Sequence, residues 1–378
     1  MPTTPSVTQT AGEGLAVIKA TAAKYFAGAS DLTIRKRLML SLLAKYGRII
    51  YDENGVTNTW LIQHDEPPVT AHGAGGEISF DEHDLFTSLT TDWRGYIVTD
   101  KMHEKDRLMN KGEVAIVDRY RRIIPQLRQS LDNKFHGEFY IDGDAANNDN
   151  RIHGMETFLA SGTTVAADLV AKPDDKYGGQ DTDVGALGGT WSTDLATASR
   201  PNASIATDWP HGAGSSAYDA LSPTLLNTSS TSWGTGSTSW EDNCARVLRQ
   251  GVHWLTKNGG SDGKPTSCFL ASNFFVDFQN YQEAKMRITV QHSEAEDLGF
   301  SDVLKFDGLM IKSEFDVPAG NGYIINAQQM ELASLAPVMF FTKGPEFDMR
   351  TMNYLFYAGF FGNVRYQPKF FGKLKAYA

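Results

Sequence analysis

Cysteine is nearly absent from this chain: two residues, Cys244 and Cys268, among 378. So few exclude a disulfide framework, and without paired CxxC motifs they offer no cysteine zinc site. Two free, buried thiols are the expectation. No run approaches the ~18 apolar residues of a membrane span. The first thirty residues lack the basic start and apolar core of a secretion leader, so synthesis in a reducing cytoplasm is expected. An excess of positive charge is missing too. Lys and Arg number 35 against 45 Asp and Glu, a formal charge of -10, which argues against a protein whose main task is to grip phosphates. What is present is 41% hydrophobic residues, enough for a real core over a length that suits two lobes or one elaborated domain.

Catalytic and ligand-binding signatures are also missing. Counted from Asp142, the loop DGDAANNDN has Asn147 where a calcium loop needs glycine and His153 where it needs glutamate, so it reads as a polar turn. GGSDGKP, Gly259 to Pro265, is one residue short of a phosphate loop and has Pro265 in place of the magnesium-holding hydroxyl. GAGGE at Gly73 lacks dinucleotide spacing and suits a turn. HExxH does not occur. The sequence designates no catalytic, cofactor-binding or metal-binding residue.

What patterning there is has a definite order. Residues 1–30 are small and weakly patterned and read as an arm, followed by a helix capped by Asp31 and carrying Leu32, Leu38, Leu42 and Leu43. VTNTWLIQH alternates Val56, Trp60 and Ile62, and EISF and WRGYIVT resume extended character after the turn-rich EPPVTAHGAGGE. This predicts a hairpin with arms of ten or more residues, about 30 Å long at ~3.3 Å per residue. Such a hairpin is marginal alone and needs its own body or another molecule beneath it. From about Asn110 to Tyr140 the apolar positions Val114, Val117, Tyr120, Ile124, Leu127, Leu131, Phe135 and Phe139 step by three and four, a long amphipathic helix that Pro125 should kink.

Residues 160–239, rich in Gly, Ser, Thr, Asp and Ala, predict loops and short strands. Ser239-Trp-Glu-Asp then resembles a capping box opening a helix with Cys244, Val247, Leu248, Val252 and Leu255 on one face, ended by Gly259 and Gly260. TSCFLAS suggests a buried strand, and Ser272 or Asn273 caps a helix bearing Phe274, Phe275, Phe278 and Tyr281. The tail YLFYAGFFGNVRYQPKFFGKLKAYA is aromatic throughout, with Gly362-Asn363 read as a two-residue hairpin turn. Tyr354, Phe356, Phe360, Phe361, Tyr366 and Phe370 belong either to a core or to an interface, and Trp60 and Trp93 share that ambiguity.

The succession of arm, hairpin, spine helix and mixed lobe resembles the major capsid proteins of tailed bacteriophages, of Hong Kong 97-type fold. TDWRGYIVTDKMHEKDRLMNKGEVAIVDRYRRIIPQL looks like that family's loop return strand running into its spine helix. RIHGMETFLAS, Arg151 to Ser161, is similar to the segment leading from spine to axial domain, and KFDGLMIKSEFDVPAGNGYIINAQQMEL, Lys305 to Leu332, to the late strand-turn-strand segment. The resemblance implies an α+β protein with an N-terminal arm and short helix (1–50), an extended hairpin loop (51–102), a peripheral-domain spine helix (103–153), an axial domain (154–330) with the insertion 160–239, and peripheral C-terminal strands (331–378). It implies a coat protein without enzymatic activity or cofactor, assembling with itself as hexamers and pentamers into an icosahedral shell around double-stranded DNA.

The hairpin would then lie across a neighbouring subunit. Candidate assembly residues are Trp60, Pro67, Pro68, Trp93, Arg94, Arg121, Arg122, Tyr366 and Phe370. DNA would be touched weakly and non-specifically, consistent with the acidity. No long scaffolding segment precedes the arm, so a separate scaffolding protein or unaided assembly is expected, together with a portal; the place of action is the virion, after assembly in the host cytoplasm, and no membrane is involved. Two rival readings are a tail-associated or adhesin-type β-rich binding protein, which the long helices fit poorly, and a hydrolase assembled from scattered residues.

Overall fold

The computed structural model describes residues 38–377 except 66, 68, 74, 77–79, 110–118, 163–168, 172, 184–219 and 286–303. The described residues open with helix α1 (Met39–Lys45), strand β1 (Ile49–Ile50), the pair β2 (Asn58–Gln63) and β3 (Phe86–Thr91), then β4 (Arg94–His103). Helices α2 (Glu104–Met109) and α3 (Arg119–Glu138) follow, then short strands β5 (Val170–Ala171), β6 (Lys176–Tyr177), β7 (Gln180–Asp181) and β8 (Thr224–Asn227). Next come α4 (Trp240–Gly259), β9 (Ser267–Leu270), α5 (Ser272–Lys285), β10 (Leu304–Phe306), β11 (Leu309–Ser313), β12 (Asn321–Ile325) and β13 (Met330–Ser334). Strands β14 (Phe341–Asp348), β15 (Asn353–Tyr366) and β16 (Gly372–Lys375) end the chain. The fold mixes helix and sheet, in two compact units, one drawing on residues 95–135 and 338–360 and the other on 37–94, 136–337 and 361–378.

In the first unit α3 rides on β4, β14 and β15. Ile123, Leu127 and Leu131, one helical turn apart, are buried against Met102, Phe356 and Ala358. Phe135 receives Phe360 edge-on at 4.7 Å, with Phe340 at 6.0 Å and Tyr96 at 6.1 Å around it. Each fully buried ring of this kind stabilises by about 1.5–3 kcal/mol. Gly359 lets β4 approach β15, since a Cβ there would stand 3.0 Å from the Tyr96 carbonyl oxygen. Pro125 lies inside the 20-residue helix, on its solvent side. Of the expected spine helix, residues 110–118 fall outside the described residues.

The tail contradicts one expectation. Gly362-Asn363 is no turn: β15 runs unbroken for 14 residues. Its first half pairs with β14, from Asn353 opposite Asp348 to Gly359 opposite Phe341. Its second half pairs with β13, from Gly362 opposite Ser334 to Tyr366 opposite Met330. The aromatic and β-branched neighbours favour strand, and a type I′ turn prefers the order Asn-Gly over Gly-Asn.

In the second unit a seven-stranded sheet runs β10-β11-β9-β12-β16-β8-β5. Its β9 and β12 are buried almost throughout. The expected faces of α4 and α5 cover one side, and Cys244, Val247, Leu248, Val252, Leu255 and Phe278 join Cys268, Leu270, Ile311, Ile324 and Leu374 in one cluster. Both cysteines are free and buried. Ser239 stands at the start of α4, but its side chain makes no capping bond, so the capping box is present in sequence alone. Gly251 lets α4 lie close on the sheet, since a Cβ there would press on Leu226 Cδ1 at 2.5 Å. At the chain's start α1 buries Leu38, Met39, Leu42 and Leu43, while Asp31 and Leu32 lie outside the described residues.

Candidate assembly surfaces

The hairpin is shorter than the sequence implied. Asn58 pairs with Thr91 and Gln63 with Phe86, giving six-residue arms. The stretch WRGYIVT, expected as a return arm, forms β4 and joins β15 instead. Val56 precedes the ladder and is exposed, so the true inward alternation is Asn58, Trp60, Ile62. That face rests on the body: Trp60 tilts onto Tyr177 at 5.8 Å, Thr90 N donates to Gly178 O at 2.9 Å, and Gly178 (φ +60°) presses on the buried Leu89. The other face and the tip do not. Leu61 and Phe86 are mostly exposed, and Val69 and Phe80 are exposed to 98% and 91%. The tip segment 65–84 carries Asp65, Glu66, Glu77, Asp81, Glu82 and Asp84 and no Lys or Arg.

A buried polar clamp holds the hairpin's base. Arg94 Nη1 donates to the carbonyls of Gly143, Asn148 and Arg151 at 2.6, 3.2 and 2.7 Å, closing the loop after α3. Beside it Asp144 Oδ1 meets His153 Nε2 at 2.9 Å. The hydrogen bond from His153, with the charge of the nearby Arg94, holds the Asp144 carboxyl below the usual range against the effect of burial. Asn363 joins in from β15, donating to Asp92 O at 2.7 Å and accepting from His153 N at 3.0 Å. Arg151 forks onto Glu138 with both contacts at 2.8 Å. Gly154 backs onto the same helix end so closely that a Cβ would stand 2.5 Å from Glu138 O and 2.4 Å from Ile141 O.

The assembly candidates therefore separate. Arg94 is drawn inward, with its Nη1 held by three backbone carbonyls and its side chain about 10% exposed. Tyr366 is core, buried and packed on Phe158, Tyr177 and Phe371. Phe370 seats against Gly259 at the end of α4. Trp60 is half-buried on Tyr177, and Trp93 donates from its indole to Gly55 O at 3.1 Å. Pro67 is exposed in the tip. Pro68 and the side chains of Arg121 and Arg122 lie outside the described residues. Tyr177, whose hydroxyl donates to Val364 O and accepts from Tyr366 N, went unnoticed in the sequence because no local pattern marks it.

Two further buried groups are ionisable. Lys373 Nζ and the Tyr323 hydroxyl both bind Glu156 on the sheet face away from α4. Burial lowers the Lys373 pKa against the pull of Glu156. Glu314 Oε1 accepts from Leu38 N at 3.2 Å, and burial raises that carboxyl. These networks bind one part of the chain to another.

No protein-family model matches the chain, and no curated protein matches it in sequence. Solved structures match it in fold. The capsid asymmetric unit of cyanophage A-1(L) superposes with a TM-score of 0.54 at 12% identity, over 93% of this chain and 96% of that one. The mature capsid of bacteriophage PhiM1 gives 0.52 at 10%, over 93% and 90%, and the capsid of the native GTA particle 0.51 at 15%, over 94% and 96%. The fold is that of phage capsid proteins. Within that class it is the Hong Kong 97-type fold that the order of elements in the sequence resembled.

Proposed function

We propose that this chain is the major capsid protein of a tailed bacteriophage, assembling with itself as hexamers and pentamers into an icosahedral shell around double-stranded DNA. One observation carries the reading: the fold match to capsid chains runs nearly end to end on both sides, so the whole architecture is shared and not a single module. The exposed hairpin supports it. Its outer face and tip hold apolar side chains exposed among the described residues, and these call for a second copy beneath them. Burying Val69 and Phe80 alone would contribute about 1.5–3 kcal/mol each. Six carboxylates in the tip and no cation direct that contact to a basic surface, and Arg121 and Arg122 are our candidates.

The role is structural and not catalytic. A separate scaffolding protein or unaided assembly, and a portal, complete the scheme, which runs in the host cytoplasm and ends in the virion. The acidity of the chain, net -10, keeps packaged DNA from adhering to the wall. Negative-stain electron microscopy of the purified protein, with sizing chromatography, tests the reading. Closed shells, tubes or uniform rings are expected; a small monodisperse species at every salt and concentration, also in the presence of a scaffolding partner, would refute it.

A further inference from the structure

Asn-Gly occurs three times in the chain, at Asn54-Gly55, Asn258-Gly259 and Asn321-Gly322. The pair has a chemistry of its own, because glycine has no side chain to shield its backbone nitrogen from the amide carbon beside it. The fold treats the three pairs differently. Gly259 is the last residue of α4, where the helical bond to the carbonyl four residues back holds its N–H. Gly322 is buried in β12 between Leu270 of β9 and Leu374 of β16, so the ladder takes its N–H. Gly55 stands exposed between β1 and β2, and its N–H makes no hydrogen bond among the described residues. Asn54 is exposed beside it. The chain is tethered on both sides. Asp52 N donates to Ala336 O at 3.3 Å and Glu53 N to Ser334 O at 3.1 Å, while Glu53 Oε1 accepts from Arg365 Nη1 at 3.3 Å. Beyond Asn54, Gly55 O accepts from the Trp93 indole at 3.1 Å.

We infer that Asn54 is a site of spontaneous deamidation, and that its isoaspartyl product loosens the base of the hairpin. Gly55 N attacks Asn54 Cγ. The new N–Cγ bond closes a cyclic imide, the Cγ–Nδ2 bond breaks, and Nδ2 leaves as ammonia with the proton of the Gly55 amide. Water then opens the imide at either carbonyl, and no electron is transferred. Opening at the side-chain carbonyl gives aspartate. Opening at the backbone carbonyl gives isoaspartate, with one more methylene in the main chain. Either product adds a negative charge beside Asp52 and Glu53, but isoaspartate alone lengthens the link between the Glu53 and Gly55 tethers. These tethers set the entry to β2, where Arg365 Nε also holds Asn58 Oδ1 at 2.6 Å. At the other two pairs the amide must first leave its helix or ladder. An opening energy of about 1.4 kcal/mol or more slows ring closure there about tenfold or more. The inference does not rest on the capsid reading.

Incubating the full chain at mildly alkaline pH, followed by peptide mapping with mass spectrometry, tests the site. Position 54 should gain about 1 Da, the difference between an amide and an acid, about tenfold or more faster than positions 258 and 321. The product should resolve into two peptides, one of which accepts a methyl group from an isoaspartate-specific carboxyl methyltransferase. In urea the three rates should converge. An unmodified Asn54, equal rates in the folded chain, or the same order kept in urea would overturn the site. Amide exchange in β2 tests the consequence. The aged chain should exchange there about tenfold faster than fresh chain. Freshly prepared Asn54→Asp, which adds the charge without the methylene, should exchange at the fresh rate. Asn54→Gln, whose longer side chain closes a ring far more slowly, should neither age nor exchange faster. An aged chain that exchanges like fresh chain, or Asn54→Asp that exchanges like aged chain, would overturn the loosening by isoaspartate.

Discussion

The side-chain amide of Asn363 donates to Nδ1 of His153 across 2.7 Å, which fixes the tautomer of the imidazole. Nδ1 must accept, so Nε2 carries the proton and donates to Asp144 Oδ1. The same asparagine accepts from His153 N and Val364 N through Oδ1 and donates to Asp92 O. One side chain thus joins the turn before β4, the loop after α3, and β15.

Replacing it should be costly in proportion. Asn363→Ala leaves the His153 amide and Nδ1 buried without partners and takes the donor from the half-buried Asp92 carbonyl. A loss of about 2–4 kcal/mol is expected, since each such orphan costs about 1–3 kcal/mol before relaxation and solvation. Urea denaturation reads it directly, and a variant within ~0.5 kcal/mol of the parent, the range of ordinary surface changes, would show that the clamp does not carry this weight.

Gly154 and Gly137 provide a paired test. A Cβ at Gly154 would collide with backbone at 2.4–2.7 Å, and backbone cannot swing aside. Gly137, near the end of α3, has nothing nearer than an Asp316 carboxylate atom at 3.7 Å. Gly154→Ala should destabilise by about 3 kcal/mol or more, in the range reserved for steric insults to a packed core. Gly137→Ala should be neutral or stabilise by up to about 1 kcal/mol, the ordinary helix preference for Ala over Gly. Thermal melts of the two variants side by side check the order.

These residues also show what the sequence carried and what it did not. The faces of α4 and α5 and the buried β9 were legible because apolar spacing reports burial directly. Strand pairing was not. WRGYIVT read as extended, which it is, but its partner β15 lies some 260 residues on, and no local pattern specifies a partner at that range. Gly362-Asn363 resembles a turn dipeptide, but the strand-forming residues on either side outweigh that preference. Arg94 reads the same in sequence whether it faces a partner or holds three backbone carbonyls of its own chain. The order of elements, in contrast, carried the fold, since it encodes topology where single motifs are silent.

Acidity should act in two separate windows. Hydrogen bonding to His153 depresses the Asp144 carboxyl, so the folded state favours its ionised form. That stability is present above the unfolded value of about 4 and is lost as pH falls through the lower folded value. Asp175 is the reverse. Burial pushes it up to about 6 despite hydrogen bonds from the backbone of Lys176 and Ala160, so the folded chain holds a proton that the unfolded chain has released. Its contribution is full below about 4 and lost as pH rises through 6. Unfolding midpoints from pH 3 to 7.5 should show both slopes, with Asp144→Asn flattening the lower and Asp175→Asn the upper; an unchanged profile in either variant would refute that assignment.

Glu314 and the first described helix make the last test. Leu38 precedes α1, and no side chain of its own segment caps that helix. Its backbone N–H is satisfied instead by Glu314 Oε1, 276 positions away in sequence. Burial raises the carboxyl, with the charges of His136 and Lys312 opposing and that of Asp316 assisting. The two roles of the residue, acceptor and buried acid, separate by substitution. Glu314→Gln keeps an acceptor for Leu38 and removes the acid, so at neutral pH it should be as stable as the parent or more so. Glu314→Ala removes the acceptor and leaves the amide buried, a cost of about 1–3 kcal/mol. That loss should be local. Amide exchange in Met39–Lys45 should quicken by about tenfold or more, roughly 1.4 kcal/mol of opening energy, while β9 and β12 keep their protection. Exchange that quickens equally in α1 and the sheet would mean that Glu314 supports the whole unit and not the attachment of the arm.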